Sequence, residues 1–223
     1  MPALRVLAIL CCAALVGRGT ATVRQTGTVH GRLLFPVALT PDSRRPAVSD
    51  LAGGAHEPVD RRRSVAYLES APRQAFDELG AGRVRMDQHD EQFVPRVLAV
   101  TVGTVVDFPN NDTKFHNVFS LSRTRTFDLG RYPPGHTGSV RFDRPGIVQV
   151  FCDIHSHMRG YILVFSHPFF AVTDESGRYV ISGVPAGAYT LDVWSELGRA
   201  EPKPITVTDG GVTEVDFKIG GNP

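Results

Sequence analysis

The sequence predicts an all-β protein made of two β-sandwiches. Helical periodicity is almost absent, and short runs rich in Val, Ile, Phe, Tyr and Thr alternate with turn residues. The 223-residue chain contains 22 Gly and 16 Pro, which supply the many turns that a sandwich needs. One short stretch, residues 72–79, is the single candidate for a helix.

The first 21 residues are typical of an export leader. Arg5 precedes a short apolar run at 7–16, and Gly-Thr-Ala at 19–21 is a small-residue cleavage site. The run is too short to span a bilayer as a helix, and no later stretch is long and apolar enough. We therefore expect a periplasmic or secreted protein without a membrane span.

The charge balance argues against nucleic acid as a partner. The whole chain carries a formal charge of +1, and removal of the leader with its two arginines leaves −1. Nucleic-acid binders usually need a clear basic excess. The one dense basic run, Arg-Arg-Arg at 61–63, is best explained as solvated linker.

Turn-rich stretches divide the remainder into three segments. Residues 22–63 form an N-terminal strand and a Pro- and Gly-rich linker, 64–166 a first sandwich, and 167–223 a second. Expected strands in the first two segments are 27–35, 64–69, 83–86, 97–100, 105–108, 117–119, 138–142, 147–152 and 161–165. In the third they are 169–173, 178–182, 188–194, 203–208 and 212–219.

Cysteine usage points to a special role for one residue. Cys11 and Cys12 leave with the leader, so Cys152 is the only thiol of the mature chain. A lone cysteine in an oxidising compartment indicates intermolecular pairing, a reactive thiol or a metal thiolate. The alternative is an inert buried cysteine.

The residues around Cys152 favour the metal thiolate. Cys152, His155 and Met158 lie on one short loop between two strands, and His116 follows a strand and a Pro-Asn-Asn-Asp turn upstream. A thiolate, two imidazoles and a weak axial thioether form the set that suits copper cycling between Cu(I) and Cu(II). Zinc also accepts Cys and His, but a thioether is a poor zinc ligand and Met158 would have no role.

On these residues the first sandwich resembles the cupredoxins, in the plastocyanin and amicyanin group. The Cys-x-x-His-x-x-Met spacing matches the ligand loop of amicyanin, and the upstream His-Asn at 116–117 follows the same pattern. The resemblance implies a Greek-key sandwich and one type 1 copper ion. Cys152, His155 and His116 would be its equatorial ligands and Met158 its axial ligand, with Asn117 bracing the thiolate through a hydrogen bond.

Two further resemblances cover the rest of the chain. The stretches 87–95, 102–104 and 151–158 resemble bacterial methylamine-utilisation-like plastocyanin proteins, a label that is a family name and no activity. The stretches 174–179 and 183–191 resemble carboxypeptidase-regulatory-like or transthyretin-like sandwiches. At about 55 residues, such a sandwich is near the lower limit for a core of its own.

Other polar residues leave one alternative open. His157 stands where the amicyanin loop has an apolar residue, so it is an alternative ligand, an exposed neighbour or part of a weaker second site; the spacing favours His155. Asp87, Asp90 and Glu91 are expected in an exposed turn. The histidines without a partner at metal spacing, expected to be structural or solvated, are His30, His56, His89, His136 and His167.

The sequence thus predicts a periplasmic carrier of single electrons that docks with a redox partner protein. A closed four-ligand site leaves no position for a substrate, so we expect no enzymatic activity. An apolar docking patch is expected around the exposed ring edge of His155. The alternative is a copper-binding or scaffolding module, and a multicopper oxidase is disfavoured because 155–157 is the only His-x-His pair.

Overall fold

The structure, a computed structural model, describes residues 26–35, 63–76 and 82–221. The all-β prediction is confirmed: within these residues the only helix is a single 3-10 turn, Arg73–Phe76, inside the stretch expected to be helical. No helix in this part of the chain is long and apolar enough to cross a membrane. The leader at 1–21, most of the linker with His56, and the end of the candidate helix lie outside the described residues.

The described strands, in chain order, are β1 (Gly27–Leu34), β2 (Ser64–Leu68), β3 (Arg83–Arg85), β4 (Asp87–His89), β5 (Gln92–Val94), β6 (Val97–Thr101), β7 (Val105–Pro109), β8 (His116–Ser122), β9 (Arg125–Tyr132), β10 (Thr137–Arg141), β11 (Gly146–Phe151), β12 (Arg159–Phe165), β13 (Phe170–Val172), β14 (Arg178–Val184), β15 (Gly187–Ser195), β16 (Gly198–Arg199), β17 (Lys203–Val207), β18 (Val212–Glu214), β19 (Phe217–Lys218) and β20 (Gly220–Gly221).

The first sandwich encloses one apolar core between two sheets. Their strand orders are β10-β7-β3 and β6-β12-β11-β8-β9, and the small hairpin β4-β5 lies beside them. The alternation of side chains along each strand sends every second residue inward, as in Val148 and Val150 of β11. The core also contains Cys152 and Met158, so the candidate ligand loop is anchored in the core of this sandwich.

The second sandwich recruits both N-terminal strands. One sheet has β1 between β14 and β18, with β19 also pairing β1, and the other has the order β13-β2-β15-β16-β20, with β17 on β15. We expected Ser64–Leu68 to open the first sandwich, but it pairs with β13 and β15 instead. All but one of its residues are buried in this position, between β13 and β15.

An apolar cluster joins the two sandwiches. Val65 of β2 meets Val97, Tyr161 and Leu163 of the five-stranded sheet, and Trp194 packs against the same cluster. The rings of Tyr161 and Trp194 are 4.8 Å apart between centroids. The outer face of the five-stranded sheet is therefore partly covered by the second sandwich, and the start of β12, next to the ligand loop, belongs to this contact.

Two features of the first sandwich were not predicted from the sequence. Strand β9 was not predicted, because most of its residues are exposed; only Tyr132 lies in the core, with Phe127 and Leu129 packed against it. The hairpin β4-β5 was not predicted either, because its turn lacks the usual Asn-Gly or Asp-Gly signal. Its turn residues are Asp90 and Glu91, with φ angles of 50° and 54°.

Candidate metal centre

The candidate ligand loop connects two paired strands. Cys152 follows β11 and Met158 precedes β12, and Phe151 lies opposite Arg159 in the register of the ladder. Inside the loop, the backbone N–H of Met158 donates a 3.0 Å hydrogen bond to the carbonyl of His155. Both ends of the loop are thus fixed by ladder hydrogen bonds and its middle by a turn, which holds the side chains before any ligand binds.

His116 reaches the loop from a neighbouring strand. It is the first residue of β8, which lies next to β11 in the five-stranded sheet, and its side chain is fully buried. Asn110 shapes the connection before it, because its side-chain amide donates 2.8 Å and 3.2 Å hydrogen bonds to the carbonyls of Lys114 and Tyr132. The turn predicted from Pro-Asn-Asn-Asp thus delivers the histidine into the core.

Three donor atoms converge. Cys152 Sγ lies 3.9 Å from Nδ1 of His116 and 3.9 Å from Nδ1 of His155, and the two ring nitrogens are 3.1 Å apart. A point in their plane that is equidistant from the three atoms lies about 2.1 Å from each, within the roughly 2.0–2.3 Å at which nitrogen and sulfur ligate a transition metal such as zinc. The spacing and the chemistry of this donor set fit a single metal ion.

A buried carboxylate selects which nitrogen of His116 faces the thiol. Oδ2 of Asp112 lies 3.0 Å from Nε2 of His116, and both side chains are buried. Burial alone would raise the pKa of Asp112, but hydrogen bonds from the backbone N–H of Glu91, from His116 and from Thr113 lower it to about 2. The ionised carboxylate only accepts, so Nε2 of His116 donates to it and Nδ1 is left as the lone-pair nitrogen.

The surroundings of Cys152 favour its thiolate. Burial raises the pKa of this thiol, but its contact with His116 and hydrogen bonds from the backbone amides of Asn117, His155 and Ile154 outweigh burial and lower the pKa. The same contact acts on the imidazole: burial lowers the pKa of His116, but its contacts with Cys152 and Asp112 raise the pKa overall. A stabilised thiolate is the form that binds a metal.

Asn117 braces the thiol with its backbone. Its N–H donates to Cys152 Sγ over 3.5 Å, while its side-chain amide donates a 2.8 Å hydrogen bond to Asp128 of β9. Asp128 also accepts from the backbone N–H of Gly130. The unpredicted strand β9 thus holds Asn117 in the position from which its main chain reaches the sulfur.

Met158 is buried in the same apolar core as Cys152. It is 1% exposed and belongs to the same cluster as Cys152. Gly160, two residues further along, is tightly surrounded. A Cβ atom added there would lie only 3.0 Å from Val150 and 3.2 Å from the sulfur of Met86. The only other methionine beyond the leader, Met86, therefore also lies near the loop, a placement that the sequence did not indicate.

The structure leaves His157 outside the convergent triad. Its Nε2 lies 3.2 Å from Oε2 of Glu91, and its ring centroid is 6.1 Å from that of His155. Within the described part of the chain, one group of three metal-binding side chains brings its donor atoms together, and it consists of His116, Cys152 and His155. Geometry therefore places His155 with the other two, and gives His157 a carboxylate partner instead.

Glu91 is a site residue that was not identified from the sequence. We expected it in an exposed turn, but its side chain is only 7% exposed and faces His157, Lys114 and His155, the last over 3.7 Å. Burial raises its pKa, but the hydrogen bond from Lys114 and the neighbouring imidazoles lower it overall. A non-glycine residue at φ 54° is uncommon, and such strain is concentrated at functional sites.

The outer edge of His155 is more polar than expected. Its side chain is 17% exposed, and burial lowers its pKa, with Glu91 acting in the opposite direction. Phe115 and Ile154, next in sequence to two of the triad residues, are exposed. The surface around His155 thus combines apolar side chains with the exposed Lys114, whose ammonium pairs with the buried Glu91. From the sequence we expected an apolar patch.

The remaining described histidines lie away from the triad. His89 and His136 are exposed, and His30 is half-buried in β1. His167 is 4% exposed, and its Nδ1 accepts a 3.2 Å hydrogen bond from the backbone N–H of Phe169. Burial lowers the pKa of His167, which is therefore a core residue of the kind expected.

Comparison with solved structures returns copper proteins of cupredoxin type. The chain is similar to a purple cupredoxin from Nitrosopumilus maritimus (20% identity, 37% of this chain and 99% of that one, TM-score 0.34) and to a reduced amicyanin variant (23%, 45% and 98%, TM-score 0.36). It is also similar to a copper-containing nitrite reductase from Thermus scotoductus SA-01 (26% identity, 37% of this chain and 22% of that one, TM-score 0.36).

These likenesses concern only part of the chain, so the resemblance of the second sandwich to a known domain type and the family of the chain stay predictions. No protein-family model matches the sequence, and no curated protein matches it either.

Proposed function

We propose that the protein is a type 1 copper protein that carries single electrons between redox partners. The observation that carries the proposal is the convergence of Cys152 Sγ with Nδ1 of His116 and of His155 on one point about 2.1 Å from each. Met158 would add the weak axial thioether that distinguishes copper from zinc sites. One bound copper ion would supply reversible one-electron chemistry.

The protein's own contribution is a rigid, dry donor set. Asp112 fixes the tautomer of His116, and the backbone N–H of Asn117 points at the sulfur of Cys152. The donors on the core side are buried, so water is excluded there. Donors that are held in place before binding need little rearrangement when the charge of the site changes, which favours rapid electron exchange.

The partly exposed edge of His155 is the proposed route for the electron. Its side chain is the most exposed of the triad, since His116 is fully buried and Cys152 is 4% exposed. Phe115 and Ile154 offer apolar contact area, and the exposed Lys114 adds a charged contact for a docking protein. We further propose an export leader at 1–21 and a periplasmic or secreted location.

The test is reconstitution of the purified protein with Cu(II). We expect an intense thiolate-to-copper band in the visible spectrum and its reversible loss on reduction. Cys152→Ser should abolish the band, because no other thiol remains beyond the leader. Absence of the band in the wild type, or its persistence in Cys152→Ser, would contradict the proposal. A band without reversible reduction or electron exchange with a small redox protein would favour the alternative, a copper-binding or scaffolding module.

A further inference from the structure

One ion pair joins the two sandwiches beside the ligand loop. Arg96, just before β6, donates from Nε and from Nη2 to the two carboxylate oxygens of Glu196, over 2.8 Å and 2.7 Å. Glu196 lies in the turn between β15 and β16 of the second sandwich. The two side chains are only 10% and 11% exposed, so this two-bond pair is shielded from solvent, unlike an ordinary surface pair.

The third arm of the same guanidinium reaches the ligand loop. Nη1 of Arg96 donates a 2.6 Å hydrogen bond to the backbone carbonyl of Arg159, the residue after Met158. Arg159 lies opposite Phe151, the residue before Cys152, so this carbonyl belongs to the rung that closes the loop. Arg96 is itself held to this strand, because its carbonyl accepts a 2.8 Å hydrogen bond from the N–H of Tyr161.

The planar guanidinium links these contacts. Glu196 takes two of its donors and thereby fixes the direction of the third, which is the one on Arg159. The guanidinium also lies 5.8 Å from the ring centroid of Tyr161, which packs against Trp194 of the second sandwich. Without the carboxylate, a long arginine side chain regains rotamer freedom and its third hydrogen bond loses its orientation.

We propose that Arg96 and Glu196 are positioning residues through which the second sandwich holds the ligand loop and so sets the properties of the metal site. The inference rests on the proposed function where the properties of bound copper are measured. The effect of the ion pair on the motion of the ligand loop does not require a metal. It gives the second sandwich a role: it carries the carboxylate that orients the arginine at the loop's closing rung.

The first experiment uses the metal-free full chain and does not depend on copper. Amide hydrogen exchange is followed in peptides that cover residues 152–160, in the wild type, in Glu196→Gln and in Arg96→Lys. We expect exchange in this loop to accelerate about tenfold in both variants, because the loop's closing rung loses an oriented partner. Exchange equal to that of the wild type in both variants would overturn the proposal.

The second experiment measures the loaded protein. We expect copper loss to a chelator to be about tenfold faster in Glu196→Gln, the usual scale for a residue that orients a ligand group. The reduction potential and the hyperfine splitting in the EPR spectrum should shift as well. If the wild type gives no coloured copper complex, the proposed function fails, and the amide exchange still decides whether the ion pair holds the loop.

Val65→Ala is the matched control. Val65 is fully buried in the cluster between the two sandwiches, so its truncation loosens the same interface without removing a polar partner of Arg96. We expect Val65→Ala to lower the melting temperature but to leave loop exchange and the copper spectrum near wild type. If Val65→Ala lowers the melting temperature as much as Glu196→Gln does, and also changes loop exchange and the copper spectrum as much, the ion pair has no positioning role and the proposal is wrong.

Discussion

Oδ2 of Asp112 accepts hydrogen bonds from Nε2 of His116, over 3.0 Å, and from the backbone N–H of Glu91, over 2.7 Å. One carboxylate therefore ties a buried imidazole of the donor triad to the strained turn between β4 and β5. The contact fixes the ring orientation of His116 and brings Glu91 next to the loop. Because neither Asp112 nor Glu91 is close in sequence to Cys152, the loop alone does not define this centre.

Asp112→Asn should weaken copper binding without unfolding the protein. The amide keeps the size of the side chain but loses the charge that stabilises the donor proton on Nε2 of His116. We expect the dissociation constant for copper to rise by about 10- to 100-fold, measured by competition with a chelator. Asp153→Asn removes an equal charge beside Cys152, where Asp153 is partly exposed and pairs with Arg131. An equal loss in this control would mean that net charge alone matters.

Glu91→Gln should raise the reduction potential. Glu91 places a buried negative charge near His155, which favours the oxidised, more positive metal; its removal favours the reduced form. We expect a shift on the order of 50 mV toward positive values in redox titration, from the screened interaction of charges a few ångströms apart. Glu214→Gln, an exposed residue of β18, should leave the potential unchanged. A shift to negative values would contradict the assignment.

Substitution of the two loop histidines should separate their roles. His155→Gln removes a member of the convergent triad, and we expect it to abolish the visible copper band or replace it with a different spectrum. His157→Gln removes the 3.2 Å contact with Glu91 and no member of the triad, so the band should remain. The two visible spectra at saturating copper provide the test. The opposite pattern would make His157 the ligand.

His167 should make stability depend on pH. Burial lowers its pKa in the folded protein below the ordinary value of 6.5, so between the two pKa values the unfolded chain binds the proton and the folded chain does not. This contribution to stability is complete above pH about 6.5 and is lost as the pH falls toward the folded pKa.

His167→Asn keeps an acceptor for the N–H of Phe169 and removes the titration. We therefore expect the metal-free variant to lose less of its melting temperature than the wild type does as the pH falls through about 6.5. His136→Asn, in an exposed turn, should keep the pH dependence of the wild type. An equal decrease of the melting temperature with falling pH in the wild type and in His167→Asn would refute this assignment.

The sequence predicted the parts of the site that lie close together in the chain. Cys152, His155 and Met158 share one loop, so their spacing is visible without a structure. His116 could be added because a turn and a strand precede it. The choice between His155 and His157, by contrast, depends on which ring turns inward. The ring of His157 contacts Glu91, more than 60 residues upstream, and the sequence does not show this contact.

What could not be predicted depends on pairing between distant segments. The apolar pattern of Ser64–Leu68 predicted a strand correctly, but nothing in it identifies partners more than 100 residues away. The same holds for Glu91, whose burial results from a turn that places it under Lys114 and the loop. Local patterns identify strands and ligand types; the partner of each strand follows only from the packing of the whole chain.

The pairing of β1 and β2 has a consequence for how the protein can be divided. Both strands belong to sheets whose other members follow β12, so residues 82–165 form a continuous insertion within a discontinuous sandwich. The inserted part can complete its own sheets as soon as it has been synthesised, while β1 and β2 must wait for the end of the chain. A genetic cut after residue 166 would leave two apolar strands with unpaired edges, which favours aggregation.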